Sequence, residues 1–336
     1  MNSLLLRGLV DVSDLCRGKN MNFSLIEKNL ENTFPGIEKK DLPPDTKLFK
    51  GKVRDVIDLG KELLLITSDR ISAFDVILST IPCKGEVLNR IALFWFKKTS
   101  DIIKNHIVEE ISPRTVRVKK CEILPVEVIM RGYLTGSAWR DYSSGKEISG
   151  VRLPGGMSFN QKFDKPLLTP STKAEAGKHD EPISGSEILK QGLVDAKIWG
   201  QVEEASLALF KKGTELAAKN GLILVDTKYE FGILDGKLII ADEMHTPDSS
   251  RFWYADTYEK LYAENKEQRQ LDKEYFRQWL ISKNYMGDGI PPEIIPTVRI
   301  ETAKRYITSY ENITGEEFSP KAGNSEAEKK NILSYL

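Results

Sequence analysis

Residues 224–232, LVDTKYEFG, and residues 239–243, IIADE, are the stretches of this chain that decide its fold. Each reads as a short buried β-strand, and Asp235-Gly236 between them favours a tight hairpin turn, because both residue types tolerate positive φ. Four charged side chains interrupt the two runs: Asp226, Lys228, Glu230 and Asp242. Ionised groups beside a core are paired or hold a metal. The pattern therefore predicts two antiparallel strands that bring charged groups to one end of a sheet.

The register of this hairpin decides whether its acids can share a metal ion. A two-residue loop pairs Glu230 with Ala241 and Tyr229 with Asp242, which places the two carboxylates on opposite faces. They can meet only if a bulge, or the end of the ladder, shifts the count by one. Two carboxylates with substrate phosphates would suit Mg²⁺. A hairpin with solvated acids at its rim is the alternative, and the sequence leaves both open.

Composition narrows the class of protein. The chain has 336 residues with 49 Lys+Arg and 49 Asp+Glu, so its formal net charge is zero. This balance gives no electrostatic support to nucleic acid or an anionic membrane as a partner. No apolar run approaches the roughly 20 residues that span a bilayer. The three cysteines are widely spaced, which predicts no disulfide framework and a cytoplasmic location.

The order of strand-like and helix-like patterns predicts an α+β fold. Strand patterns fill 46–82 and 114–132, helical patterns fill 86–103 and 196–219, and the charged C-terminal part is helical. Residues 133–183 show little periodicity and read as a long loop. The expected divisions are an N-terminal extension and lead-in (1–45), a small antiparallel-sheet nucleotide-loop domain (46–124), a larger α/β domain with the substrate and metal site (125–265) and C-terminal helices (266–336). Residues 1–20 are expected to be poorly ordered.

The segment KGKVRD, residues 50–55, is a candidate phosphate-binding loop. Gly51 lets the backbone approach a phosphate closely, and Lys52 and Arg54 alternate onto one face where they could neutralise it. The spacing is not that of a Walker A or kinase loop. A solvated hairpin is the alternative interpretation.

The segment RGYLTGS, residues 131–137, follows a buried-looking strand. Arg131 with Ser137 is a candidate anion clamp, because a guanidinium binds phosphate or carboxylate through two donors. Glu127 lies inside the apolar strand and needs a partner, so a simple Arg131–Glu127 pair is the alternative. Loops elsewhere supply further polar candidates for substrate binding: Arg70, Ser72, Lys173, Asp180, Asp248 and Arg251.

Together these segments contain the groups needed for ATP-dependent phosphoryl transfer to an anionic substrate. The motifs GKVRD, PVEVIMRGYLTGS and LVDTKYEFG, followed by ADE and PDSSR, resemble the SAICAR synthetase family of purine-biosynthesis ligases. The resemblance runs from about residue 47 to 260. It implies a SAICAR synthase-like, distantly kinase-like fold, ATP and Mg²⁺ as cofactors, and a monomer without nucleic-acid or membrane partners. It also implies that L-aspartate is joined to carboxyaminoimidazole ribotide, with an acyl phosphate as intermediate.

The resemblance also implies roles for single residues. Gly51, Lys52 and Arg54 lie in the nucleotide loop, and adenine contacts the backbone near Ile123 and Leu124. Glu230 and Asp242 hold Mg²⁺. Lys228 and Asp226 are the candidate catalytic residues, and Lys228 neutralises charge near the reacting groups. Residues expected to bind the ribotide or aspartate are Glu127, Arg131, Ser137, Asp248, Arg251, Arg70, Ser72, Lys173 and Asp180.

Two features depart from the family pattern, and two other functions compete with the ligase. Arg54 occupies a position where lysine is common, and a histidine-rich run near Asp180 is reduced to His179. A small-molecule kinase would require a catalytic aspartate in an HRD-type loop, and no such motif occurs. A catalytically silent nucleotide-binding protein is disfavoured because no candidate phosphate or metal residue is replaced by an apolar one.

Overall fold

The computed structural model describes residues 24–173, 180–271 and 274–336. The expectation for residues 1–20 and the remark on His179 lie outside these residues. The described chain divides into two compact units. One comprises the described residues up to Ile91 with Ile107–Lys119 and Leu271–Leu336, and the other comprises Ala92–His106 and Lys120–Gln270. The domain boundaries inferred from the sequence remain a prediction.

The first unit is built on an antiparallel sheet of order β1-β2-β3-β7-β6, beside the separate pair β4-β5. Its apolar core lies around Phe34, Ile57, Leu64 and Ile66. The strands are β1 Lys47–Lys50, β2 Arg54–Asp58, β3 Glu62–Thr67, β4 Arg70–Ala73, β5 Val76–Thr80, β6 Ile107–Ser112 and β7 Thr115–Lys119. The helices are α1 Ser24–Lys28, the start of α2 Lys84–Lys98, α7 Glu274–Ser282, α8 Pro296–Thr314 and α9 Ser325–Leu333, with a 3₁₀ turn at Lys39–Asp41.

The second unit is built on a sheet of order β10-β9-β11-β12, with β8 and β13 also paired to β11. Its strands are β8 Glu122–Ile123, β9 Val126–Tyr133, β10 Lys162–Thr172, β11 Leu222–Leu234, β12 Lys237–Ala241 and β13 Ser250–Tyr254. Its helices are α3 Gly136–Ser143, α4 Gly185–Lys190, α5 Ala196–Lys219 and α6 Ala255–Ala263. The predicted α+β class with antiparallel sheets and C-terminal helices is confirmed. Among the described residues, none of the helices combines the length with the apolar composition that a membrane span requires.

The hairpin predicted from the opening motif is present. Leu234 pairs with Lys237 and Glu230 with Ala241, and both turn residues, Asp235 and Gly236, have positive φ. One edge of β11 pairs with β12 and β13, while the other pairs with β9 and β8. The long run 222–234 is thus the central strand of the unit, which explains its apolar residues.

The apolar face of this sheet packs against α5. An added Cβ on Gly132 of β9 would lie 3.3 Å from the Phe210 ring of α5, so glycine allows close approach there. The buried His245 ring fills the space beside Gly213 of α5 and stacks edge-on against Trp95, with 4.7 Å between centroids. Burial lowers the pKa of His245 to about 3, so the ring is neutral and packs as an aromatic group.

Residues 133–183 were expected to be a long loop, and this prediction is wrong. The segment contains the helix α3 and the eleven-residue strand β10. β10 escaped detection because Pro166 and a register shift between Lys162 and Leu167 disrupt its alternation. The helix α5 begins and ends where its pattern predicted, with Asp195 as its N-cap.

Gly213→Ala should lower the free energy of unfolding by about 1–3 kcal/mol, because a Cβ there would lie 2.5 Å from His245 Cε1. Gly200→Ala is the matched control. It lies in the same helix with open space around its Cβ position, and alanine should raise stability by up to about 1 kcal/mol. Urea denaturation measures both. Equal stabilisation by the two substitutions would show that the His245 ring does not occupy this space.

Candidate active site

One face of the second sheet carries charged groups on adjacent strands. Side chains alternate along a strand, so Asp226, Lys228 and Glu230 of β11 share a face. The register pairs Asp226 with Arg131 and Lys228 with Ile129 of β9, which places those partners on the same face. The opposite face contains the apolar residues that pack towards α5. The charged residues of the opening motif therefore lie on one surface because of period-two alternation.

Asp226 lies between two arginines. It pairs across β11 with Arg131 on one side and with Arg251 of β13 on the other. Arg251 makes two contacts with its carboxylate, Nε to Oδ1 at 3.0 Å and Nη2 to Oδ2 at 2.7 Å. Arg131 Nη1 lies 3.8 Å from Oδ2. Two guanidinium groups share one carboxylate, and guanidinium donors held in this way are suited to binding an anion.

Polar groups around the two arginines fix their orientation. Arg131 donates from Nε to Thr169 Oγ1 at 2.9 Å and from Nη2 to Ser137 Oγ at 3.2 Å. A Cβ on Gly136 would lie 2.2 Å from the Arg251 guanidinium, so only glycine fits at this position, whose φ is +59°. Burial lowers the pKa of Arg131; Asp226 opposes this effect and Arg251 adds to it. A bound anion would relieve the repulsion between the two cations.

Lys228 connects the carboxylates at the other end of this face. Its Nζ donates to Glu127 Oε1 at 2.7 Å and to Glu230 Oε1 at 2.9 Å. Lys173 forms an ion pair with the other oxygen of Glu230. The alternative that Arg131 pairs with Glu127 is thus wrong, since Lys228 is the partner of Glu127 and Asp226 that of Arg131.

These ion pairs determine the charge states. Burial alone would lower the pKa of Lys228, but Glu230 and Glu127 outweigh it and raise the pKa well above its usual range. Burial raises the pKa of Glu230, yet Lys228 and Lys173 bring it down to about 2. Burial also raises the pKa of Glu127, only partly offset by Lys228. At neutral pH Lys228 is an ammonium and Glu230 a carboxylate.

Asp242 follows the last paired residue of β12 and has a φ of +64°. The ladder therefore ends before Asp242, so strict alternation does not determine the direction of its side chain. Its charge contributes to the raised pKa of Lys228, the ammonium that Glu230 also contacts. Two hard carboxylates near one ammonium fit the donor set of Mg²⁺, which takes one or two carboxylates and leaves positions for phosphate and water. No larger group of His, Cys, Asp and Glu that could hold a metal occurs among the described residues.

The candidate nucleotide loop lies between β1 and β2 of the first unit. Gly51 N–H donates to Arg54 O at 2.8 Å, and a Cβ on Gly51 would lie 2.8 Å from that oxygen, so the tight loop requires glycine. Lys52 is exposed and forms an ion pair with Asp75. Arg54 begins β2 and is half-buried.

Arg70 supports this loop from within the first unit. Its Nη2 donates to Gly51 O at 3.0 Å and its Nε to Lys52 O at 3.2 Å, while Asp55 and Pro35 O accept from the remaining donors. All five N–H donors have protein acceptors, so these contacts give no support to the expected role of Arg70 in aspartate binding. That role, like the one expected of the buried Ser72, remains a prediction.

Ile123 and Leu124 differ in what their backbones offer. Leu124 N–H donates to Phe231 O at 2.9 Å, so that donor is already used. Bonded pairs alternate along an antiparallel ladder, and the N–H and C=O of Ile123 therefore point away from β11. Of the two residues, only Ile123 has backbone groups directed away from β11, and the adenine contact expected here remains a prediction.

The remaining candidates lie beside the charged face. Asp180 contributes to the raised pKa of Glu127, and the half-buried Asp248 lies between β12 and β13. Thr169, whose hydroxyl accepts from Arg131, is a residue of this face that was not among the candidates from the sequence. Thr169 begins the motif TPSTKAE, so its proximity to polar loop residues was the available signal.

The chain is thus an α+β protein whose central sheet presents an arginine pair beside a network of lysines and carboxylates. Comparison with known proteins identifies the family. A profile described as SAICAR synthetase matches residues 47–292. The phosphoribosylaminoimidazole-succinocarboxamide synthase of Bacteroides thetaiotaomicron is 48% identical, over 88% of this chain and 96% of the relative. The enzyme of the same name from Legionella pneumophila strain Lens is 43% identical, over 82% and 90%.

Comparison with solved structures indicates the same family. "SAICAR-synthase from Saccharomyces cerevisiae complexed SAICAR" has a TM-score of 0.74 and 34% identity, over 83% of this chain and 99% of that one. "SAICAR synthetase (Type-2) in complex with ADP" has a TM-score of 0.62 and 26% identity, over 82% and 100%. The chain belongs to the SAICAR synthetase family. It is an ATP-dependent carbon–nitrogen ligase of purine biosynthesis, as the motifs indicated.

Lys228→Met should lower the free energy of unfolding by about 1–3 kcal/mol at pH 7, because Glu127 and Glu230 lose their shared cation. Both carboxylates would then have raised pKa values, so the deficit should shrink as the pH falls and they take up protons. Adding Glu127→Gln should restore part of the loss. Lys212→Met, which removes an exposed partner of Asp101 in the same unit, should change stability by less than about 0.5 kcal/mol. Urea titrations from pH 5 to 8 measure the three variants and the unchanged protein; equal losses in Lys228→Met and Lys212→Met would contradict the network.

Proposed function

We propose that this enzyme joins L-aspartate to 5-aminoimidazole-4-carboxylate ribotide and releases the succinocarboxamide ribotide, ADP and phosphate. The observation that carries the proposal is the charged face of β9, β11 and β13. It combines two arginines that share the carboxylate of Asp226 with a cluster of two carboxylates around the ammonium of Lys228. Such a face can bind a phosphorylated acid at one end and support phosphoryl transfer at the other.

The chemistry requires activation of the ribotide carboxylate. Its negative charge repels an amine, and oxide is not a feasible leaving group. Transfer of the γ-phosphoryl of ATP to a carboxylate oxygen would give an acyl phosphate and ADP. The aspartate amine then attacks the acyl carbon, the C–O bond to phosphate breaks, and the amine proton passes to solvent or to a neighbouring base. The amide and inorganic phosphate are the products.

Arg131, Arg251 and Ser137 are proposed to bind the phosphate or carboxylate of the ribotide. The support is the convergence of both guanidinium groups on Asp226, which holds them in place, and the contact of Ser137 with Arg131. Buried donors fixed by surrounding acceptors need little reorganisation on binding, which favours both affinity and correct orientation. Asp226 acts in this scheme by positioning the arginines.

Lys228 is proposed to stabilise negative charge on the reacting carboxyl and phosphoryl groups. Its pKa is raised by two carboxylates, so it is an ammonium throughout the working pH range. A fixed positive charge in a partly water-excluded site stabilises a developing anion more than it would in water. Lys173, which directly follows β10 and forms an ion pair with Glu230, would assist.

Glu230 and Asp242 are the residues proposed to hold Mg²⁺, and their oxygens suit that ion. When bound, Mg²⁺ would neutralise phosphate charge during transfer. Lys52 and Arg54 of the glycine loop are proposed to contact nucleotide phosphates, and the exposed side chain of Lys52 supports this role. The aspartate-binding residues, the monomeric state, the cytoplasmic location and the lack of a nucleic-acid partner remain predictions.

The test is phosphate release from ATP with each substrate omitted in turn. A ligase requires both the ribotide and L-aspartate for continuous release, and product formation should match phosphate release one to one. Release that proceeds equally well with neither aspartate nor imidazole carboxylate would contradict the proposal. Release that requires a hydroxyl compound instead would favour a kinase.

Arg251→Ala should raise the KM for the ribotide by roughly 10–100-fold, on the order expected for a lost charged hydrogen bond, while the KM for ATP changes little. Arg152→Ala is the matched control, since Arg152 is an exposed arginine of the same unit with a surface partner, Glu147. It should leave both constants unchanged. Steady-state kinetics with each substrate varied at saturating levels of the others measure the split. A selective defect in ATP would reassign Arg251 to the nucleotide.

A further inference from the structure

The segment between β12 and β13, residues 242–249, carries two of the candidate site residues, Asp242 and Asp248. Both flanking strands pair with the same edge of β11, so the segment leaves that edge and returns to it. It closes at Lys228, whose backbone N–H donates to Ser249 O at 3.1 Å. The position of Asp242 relative to Glu230 therefore depends on what holds this segment against β11.

His245 anchors the segment in the apolar core. The ring is fully buried, and its Nε2 lies 2.5 Å from the Tyr229 hydroxyl oxygen. The ring also contacts Trp95, with 4.7 Å between ring centroids, and lies so close to Gly213 that a Cβ on that glycine would clash with it. The contact with Tyr229 joins the segment directly to β11.

Tyr229 lies between Lys228 and Glu230 in the sequence, with its side chain on the opposite face of the strand. It is fully buried. The hydroxyl of Tyr229 thus links β11, on the face opposite Lys228 and Glu230, to the segment that carries Asp242. This side-chain contact adds to the backbone bond from Lys228 N–H to Ser249 O and to the pairing of Glu230 with Ala241, which also join the two parts of the chain.

The backbone of the segment needs such support. Asp242 has a φ of +64° and His245 a φ of +52°, in the left-handed region that non-glycine residues rarely adopt. Such conformations persist only where surrounding contacts impose them. Bonds within the segment join Thr246 Oγ1 to Glu243 Oε2 at 2.6 Å and Ser249 N–H to Thr246 O at 3.1 Å. Those bonds stabilise the segment itself, whereas the Tyr229–His245 contact fixes it to the strand.

We propose that Tyr229 and His245 are positioning residues that set the separation of Asp242 and Glu230 for a divalent cation. This inference rests on the proposed metal role of those two carboxylates. Neither aromatic residue touches substrate or cation in the scheme. Their removal is expected to act on metal affinity through the direction of Asp242, and ribotide binding at the arginine pair should be unaffected.

The test uses Tyr229→Phe in the full chain, which removes one buried hydroxyl and keeps the ring. Tyr258→Phe is the matched control, because its hydroxyl is also buried in this unit and donates to Asn160 O at 3.0 Å. Mn²⁺ is the probe, titrated in the presence of ADP, with free Mn²⁺ measured by electron paramagnetic resonance. Tyr229→Phe should weaken Mn²⁺ binding roughly tenfold, as loss of a supporting partner of a metal ligand does. Tyr258→Phe should bind Mn²⁺ as the unchanged protein does.

Kinetics and further variants separate a positioning role from general destabilisation. Tyr229→Phe should raise the Mg²⁺ concentration for half-maximal activity and leave the KM for the ribotide unchanged. His245→Gln, which can still bond to the Tyr229 hydroxyl, should bind Mn²⁺ more tightly than His245→Leu. Urea denaturation verifies that each variant is folded at the assay temperature.

Asp242→Asn separates failure of this inference from failure of the proposed metal site. If Asp242→Asn weakens Mn²⁺ binding and Tyr229→Phe behaves as Tyr258→Phe does, the positioning role is overturned. If Asp242→Asn leaves Mn²⁺ binding unchanged, the metal site itself is wrong, and the inference falls with it. A Tyr229→Phe defect in Mn²⁺ binding with an unchanged ribotide KM supports the proposal.

Discussion

The interaction on which the rest of the site depends is the contact of Lys228 with two carboxylates on the sheet. Glu127 and Glu230 would repel each other without a cation between them, and burial would drive both towards the protonated form. The ammonium of Lys228 keeps them in place and ionises Glu230. The contact also joins β9 to β11, so one network fixes the charge state of the site and supports the pairing of its strands.

A single property of β-strands separates the chemistry from the core. Along β11 the charged residues Asp226, Lys228 and Glu230 alternate with Val225, Thr227 and Tyr229, so that the same strand faces a site and a packed helix. Pairing of Asp226 with arginines on both neighbouring strands extends the charged surface sideways. Each strand thus contributes side chains both to the packed face and to the charged face. A change in packing against α5 can therefore shift the positions of the charged side chains.

The opening motif predicted the hairpin and the pairing of Glu230 with Ala241, because Asp235-Gly236 favours a tight reversal, but it left open whether the ladder continues to Asp242. The long helix α5 was equally accessible through its apolar stripe and its terminal signals. β10 was not, since Pro166 and an irregular register removed the alternation that marks a strand. Arg70 illustrates another limit: a polar loop residue looked suited to a ligand, yet its donors meet the backbone of the glycine loop.

The sequence by itself determined which residue types carry the chemistry and the family to which the chain belongs, because motifs of adjacent residues are local properties. Only the tertiary structure decided the partners of those residues. In the folded chain the partner of Glu127 is Lys228, not Arg131, and Lys173, from a segment predicted to be a loop, forms an ion pair with Glu230. The β11–β12 ladder ends at Ala241, so strand alternation does not fix the direction of the Asp242 side chain. These outcomes depend on pairing between strands far apart in the chain, and no periodicity within one segment specifies which strand lies beside which.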